Sequence, residues 1–130
     1  MARKKIILVE DELPLLQLVE KYLRRLGFDV ETYSTSTDAL RSFEAAPSNY
    51  DLVVADLGMP DMPGDALLTR MLEMRADLKV LICSGSPFFI EKLPAALRRQ
   101  VVFLQKPFAP KMLAEAVERL LASPKNDPAA

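Results

Sequence analysis

Five short, mostly apolar runs recur along this chain, and each is followed by polar residues: Ile6–Val9 before Glu10, Val30–Tyr33 before Ser34, Leu52–Ala55 before Asp56, Lys79–Cys83 before Ser84, and Val101–Leu104 before Gln105 and Lys106. Runs this short, rich in Val and Ile and with little alternation, are what strands buried on both faces require. Helix-length stretches separate them. Leu16, Val19, Leu23 and Leu26 are spaced for one face of a first helix, with Pro14 near its start and Gly27 past its end. A second helix, with N-cap candidates among Ser34–Thr37, should bury Ala39, Leu40 and Phe43; Pro47–Asn49 then reads as a turn. A third should bury Leu67, Leu68, Met71 and Leu72, and a last one, from near Pro110, should bury Leu113, Ala116, Val117, Leu120 and Leu121. Between the fourth and fifth strands, Pro94 interrupts the stretch from Pro87 to Leu97, which predicts a short or irregular helix. Strands alternating with helices predict an α/β fold with a parallel sheet covered on both faces.

A chain of 130 residues, half of them hydrophobic, suits one domain with a proper core. The expected boundaries are residues 1–123 for that domain and 124–130 for a flexible tail. No apolar run is long enough to span a bilayer, and Glu10, Asp11 and Glu12 follow the basic start too closely for a signal peptide, so a cytoplasmic location without membrane insertion is expected. The net charge of −1 gives no footprint for direct nucleic-acid binding. The chain has no histidine and one cysteine, Cys83. Histidine-based triads and metal sites are thereby excluded, and so is an internal disulfide. Chemistry must come from carboxylates, hydroxyls, lysine and backbone, with or without a hard metal ion.

In an open α/β sheet, ligands bind at the carboxyl ends of the strands. Collected there are Glu10, Asp11, Glu12, Asp56, Ser84 and Lys106. Each has an ordinary explanation alone: a helix-start acid, a turn aspartate, a loop serine, a surface lysine. Together at one sheet edge they form a cleft of carboxylates with one hydroxyl and one ammonium. Crowded carboxylates repel, and a hard cation such as Mg²⁺, which takes oxygen ligands, relieves this. Asp56 is then either a ligand only or also a nucleophile, since aspartyl carboxylates accept phosphoryl groups in enzyme chemistry. Ser84, Lys106 and the metal could neutralise the phosphoryl oxygens.

The motifs Ile7–Glu12, Asp51–Asp56 with Met59-Pro60 and Pro63-Gly64, Cys83-Ser84-Gly85, and Lys106-Pro107-Phe108 resemble those of response-regulator receiver domains in two-component signalling. The resemblance runs from about Lys4 to Leu121. Phe103–Phe108 and the Pro94-bearing segment look like those of receivers attached to hybrid histidine kinases. The resemblance implies a flavodoxin-like doubly wound sheet of five parallel strands in the order 2-1-3-4-5. It implies Asp56 as phosphoacceptor, with Ser84 and Lys106 assisting, and Mg²⁺ held by Glu10, Asp11, Asp56 and the Gly58 carbonyl. It further implies Ser84 and Phe103 as the switch pair and a cis Lys106–Pro107 bond. The expected activity is a phosphorelay switch with self-catalysed phosphotransfer and autodephosphorylation, not a metabolic enzyme. Its partners would be a histidine kinase or histidine phosphotransfer protein and a downstream protein or parent-chain domain, with a phosphorylation-linked homodimer among the forms open to it. The chain departs from the family pattern in having Glu10 for Asp, Ser84 for Thr, no side chain at Gly58 and no hydroxyl on Phe103. An aspartyl-nucleophile phosphohydrolase would need a second Asp where Gly58 stands. A flavin protein would need a Ser/Thr/Gly-rich cradle after the first strand. The third rival, a receiver-like module that no longer accepts phosphate, runs against the intact set Glu10, Asp11, Asp56, Ser84 and Lys106.

Overall fold

The computed structural model describes residues 3–86 and 95–122. Its elements run β1 (Lys5–Val9), α1 (Leu13–Arg25), β2 (Asp29–Tyr33), α2 (Ser36–Ala45), a 3-10 turn (Pro47–Asn49), β3 (Leu52–Ala55), α3 (Gly64–Met74), β4 (Lys79–Ser84), α4 (Ala95–Arg98), β5 (Val101–Gln105) and α5 (Pro110–Ala122). All strand pairs are parallel, in the order β2-β1-β3-β4-β5. The alternation of strand and helix therefore gave the class, and the expected order is the one observed. Most of the stretch expected to be an irregular fourth helix, including Phe88, Phe89 and Pro94, lies outside the described residues, as does the tail expected over 124–130.

The pleat sorts each central strand between two cores. On β1, β3 and β4, Ile7, Val9, Val53, Ala55, Val80 and Ile82 face α2 and α3, packing on Ala39, Phe43, Leu67 and Met71. Their sequence neighbours Ile6, Leu8, Leu52, Val54, Leu81 and Cys83 face α1 and α5, packing on Val19, Leu23, Leu113 and Val117. Successive side chains of a strand point to opposite faces, so a strand covered on both sides must be apolar throughout. Each fully buried Leu, Ile or Val contributes about 1.5–3 kcal/mol over its exposed state. The two edge strands, β2 and β5, have mixed patterns, and Val30 is the one buried residue of β2.

The helix ends follow from local chemistry. Gly27 adopts φ +99° just past α1, a conformation that L side chains rarely take. Leu26, expected on the buried face of α1, is instead 36% exposed, because the helix ends at Arg25 and the chain turns there. At the start of α2, Thr35 accepts a hydrogen bond from the Asp38 N–H through its side chain. No helix among the described residues is long and apolar enough to cross a membrane.

Candidate functional site

The strand order reverses at β1: the chain leaves β1 for β2 on one side and returns to β3 on the other. The loops after β1 and β3 diverge there and open a crevice at the carboxyl ends. The register decides which polar residues meet in it. Val9 pairs with Ala55, so the next residues, Glu10 and Asp56, emerge side by side. Ser84 pairs with Gln105, so Lys106 leaves β5 just beyond them.

Lys106 Nζ donates to Glu10 Oε1 at 2.7 Å and to Asp56 Oδ2 at 3.1 Å, and lies 3.7 Å from Glu12 Oε1. The side chains of Lys106, Glu10 and Asp56 are only 15%, 6% and 10% exposed. Glu10, Asp11 and Asp56 each bring a carboxylate oxygen within 4.8 Å of the others, with Asp11 at the exposed rim. One ammonium thus serves several carboxylates. Burial pushes the Glu10 carboxyl above its usual range, and its bonds with Lys106 and the Glu12 N–H only partly offset this. Burial also works against the Lys106 ammonium, but its bonds to Glu10 and Asp56 more than compensate and raise its pKa. The cation is well served and Glu10 is not. This donor set, all carboxylate oxygen, fits a hard cation such as Mg²⁺. The Cys83 thiol borders the same pocket, but burial lifts it to about 12 and keeps it protonated and inert.

Of the other residues singled out in the sequence, Gly58 donates its N–H to Asp56 Oδ1 at 3.0 Å and is exposed. Ser84 is buried at the end of β4, where its Oγ accepts from the Ser86 N–H at 3.1 Å and so is engaged with its own loop. Phe103 is half-buried on β5 against the α2–α3 core, paired with Ile82. The Lys106–Pro107 bond is cis. An apolar cleft of about 530 Å³ opens beside Lys106, between α1 and the segment leading into α5; Leu15, Leu18, Tyr22 and Phe108 line it.

Three contributors escaped the sequence reading. Glu12 was noted only as part of an acidic cluster, yet it reaches Lys106. Gly64 enters the sequence reading only within the Pro63-Gly64 motif, yet a Cβ there would sit 2.5 Å from the Asp56 carbonyl oxygen and 2.7 Å from Leu57 Cα. Only glycine lets α3 begin this close to Asp56. Asp61 accepts hydrogen bonds from Ser36 and Thr37, which no local pattern could reveal across more than twenty residues.

The family model of the response regulator receiver domain matches residues 6–118. Among curated proteins, the chain is 32% identical over 95% of its length to the DNA-binding transcriptional regulator NtrC of Azospirillum brasilense, and 33% identical over 89% of its length to the sensor kinase CckA of Brucella abortus. It spans only 25% and 12% of those two proteins. Among solved structures, the non-phosphorylated HemR receiver domain of Leptospira biflexa matches with a TM-score of 0.85 at 27% identity, covering 96% of this chain and 99% of that one.

Proposed function

The chain belongs to the response regulator receiver family, and we propose that in it Asp56 accepts a phosphoryl group, in the presence of Mg²⁺, from a histidine kinase or histidine phosphotransfer protein. The observation that carries this is the single ammonium of Lys106 bonded to two buried carboxylates, Glu10 and Asp56, with Asp11 beside them. Such a surplus of buried negative charge suits a site made to receive a cation and then a phosphoryl group.

Asp11 and Asp56 would hold the ion directly, Glu10 directly or through water, and the Gly58 carbonyl would add a ligand. Bound Mg²⁺ would offset charge on the transferring phosphoryl oxygens. An Asp56 carboxylate oxygen forms the new O–P bond as the P–N bond of the donor phosphohistidine breaks. The imidazole leaves with the electron pair and takes its proton from solvent. The Gly58 N–H on Oδ1 and the Lys106 ammonium on Oδ2 orient the carboxylate before attack. Lys106 and the Ser84 hydroxyl then engage the phosphoryl oxygens through charge-assisted hydrogen bonds. Ser84 moves with its loop, Phe103 repacks against the core, and the face around α4 and β5 changes for a downstream protein or for another domain of a longer parent chain. A protein donor would approach along the apolar cleft beside Lys106.

The test is the intact mass after incubation with Mg²⁺ and acetyl phosphate, beside Asp56→Asn. We expect one phosphoryl adduct on the parent chain, none on the variant, and none with a chelator present. An adduct that persists in Asp56→Asn, or no adduct together with no binding of beryllofluoride, would remove the proposal.

A further inference from the structure

The loop from Leu57 to Pro63 carries Gly58 between two fixed points. At one end Asp56 is held by β3, its N–H bonded to the Val9 carbonyl at 3.2 Å. At the other, the Gly64 N–H bonds to the Leu57 carbonyl at 3.0 Å, closing the loop. Between them the loop is tied sideways to the start of α2. Asp61 Oδ1 accepts from the Ser36 N–H at 3.1 Å, and Oδ2 accepts from the Thr37 N–H at 2.8 Å and the Thr37 hydroxyl at 2.7 Å. The fully buried Ser36 hydroxyl donates to the Met62 carbonyl at 2.8 Å. Two adjacent residues of α2 thus hold two adjacent residues of the loop by four hydrogen bonds.

α2 already has a cap of its own, because Thr35 serves the Asp38 N–H. The bonds from Asp61 therefore do more than begin a helix: they join the loop beside Asp56 to a rigid element that shares a core with it. We propose that Asp61 is a positioning residue for the phosphoryl-acceptor site, fixing the path of the loop that presents Gly58 and so setting the affinity for Mg²⁺. This rests on the assignment of Gly58 and Asp56 as metal ligands made above. Asp61 touches neither ion nor phosphoryl group; it acts through the loop, as an outer partner orients a metal ligand.

The experiment is calorimetric titration of Mg²⁺ into the parent chain, Asp61→Ala, Asp61→Asn and Thr37→Ala, with amide hydrogen exchange over residues 57–62 in metal-free protein. Loss of an outer partner of a metal site typically weakens binding by about 10–100-fold. For Asp61→Ala we expect a Kd about tenfold higher and faster exchange in the loop. Asp61→Asn should fall between it and the parent, since the amide oxygen still accepts. Thr37→Ala, which removes one of the three bonds to Asp61, should show the smallest shift and guards against a misfolded alanine variant. A parent chain that binds Mg²⁺ beside variants of unchanged Kd would overturn the positioning role and leave Asp61 a helix cap. A parent chain that binds no Mg²⁺ would overturn the metal site and this inference with it.

Discussion

At the β2 edge of the sheet, Lys5 meets Glu31 at 2.6 Å; at the carboxyl ends of β1 and β3, Lys106 meets Glu10 at 2.7 Å. The two contacts look alike and their surroundings differ. Glu31 Oε1 accepts from the hydroxyls of Tyr50 at 2.8 Å, Tyr33 at 3.0 Å and Ser42 at 3.3 Å, while Lys5 takes Oε2. Lys5 also lies 5.4 Å from the centre of the Tyr50 ring. Four donors serve one carboxylate. Burial pushes Glu31 upward, yet its bonds with Lys5, Tyr50 and Tyr33 hold its pKa below the ordinary value. Around Lys106 the balance is reversed: one ammonium is shared among Glu10, Asp56 and Glu12, the remaining bonds to Glu10 and Asp56 come singly from the backbone N–H groups of Glu12 and Gly58, and Glu10 is raised. A polar cluster with donors to spare holds the fold together; one short of donors is poised for something from outside.

The contrast is tested most severely by removing each lysine. Lys106→Met should destabilise the metal-free protein by about 3 kcal/mol, because it strands two buried carboxylates. Added Mg²⁺ should restore much of the loss. Lys5→Met, at a pair roughly a third exposed, should cost no more than about 1 kcal/mol and gain nothing from Mg²⁺. Urea denaturation with and without the ion measures both. Equal losses at the two lysines would dissolve the distinction.

A smaller effect of opposite sign is expected at Glu10. Its folded pKa is raised, so in its charged form it weakens the fold above the ordinary carboxylate value near 4.5 and is relieved below it. At neutral pH, Glu10→Gln should therefore raise the melting temperature of the metal-free protein by roughly 4 °C, about 1 kcal/mol. The same change should weaken Mg²⁺ binding. A destabilised Glu10→Gln would show that Lys106 already satisfies the site.

Acid should erase both effects, from opposite signs, and this is the smallest change expected. Glu31 is lowered, so its stabilising contribution is present above about 4.5 and fades as pH falls through its folded value. The melting-temperature gap between the parent chain and Glu31→Gln should narrow from pH 7 to about pH 3. The advantage of Glu10→Gln should vanish over the same range with the opposite sign, because the parent chain sheds a penalty as Glu10 takes up its proton. Gaps that stay constant with pH would mean that neither carboxylate is shifted.

How much of this was legible beforehand depends on the distance between cause and effect. The strands were readable because both faces are buried, so Leu52–Ala55 carries its environment in four consecutive side chains. Glu10, Asp56 and Lys106 were readable because a parallel sheet brings strand ends together whatever lies between them. Leu26 misled, since the apolar periodicity runs one residue past the helix end at Arg25, into the turn that Gly27 completes. Asp61 and Glu31 were opaque: what each does is set by partners on other elements, Ser36 and Thr37 for one, Tyr50 and Lys5 for the other. The demand for glycine at position 64 came from the Asp56 backbone rather than from the turn.

The pairing of Val9 with Ala55 works as a reading frame for chemistry. One residue inserted within β3 would exchange the two cores along that strand and turn Asp56 away from Glu10 in the same stroke. Two would return it to the correct face but displace it by about 7 Å along the strand, beyond the reach of Lys106. In this chain Asp56 can move by neither one step nor two, and insertions are tolerable only where the ladder has already ended.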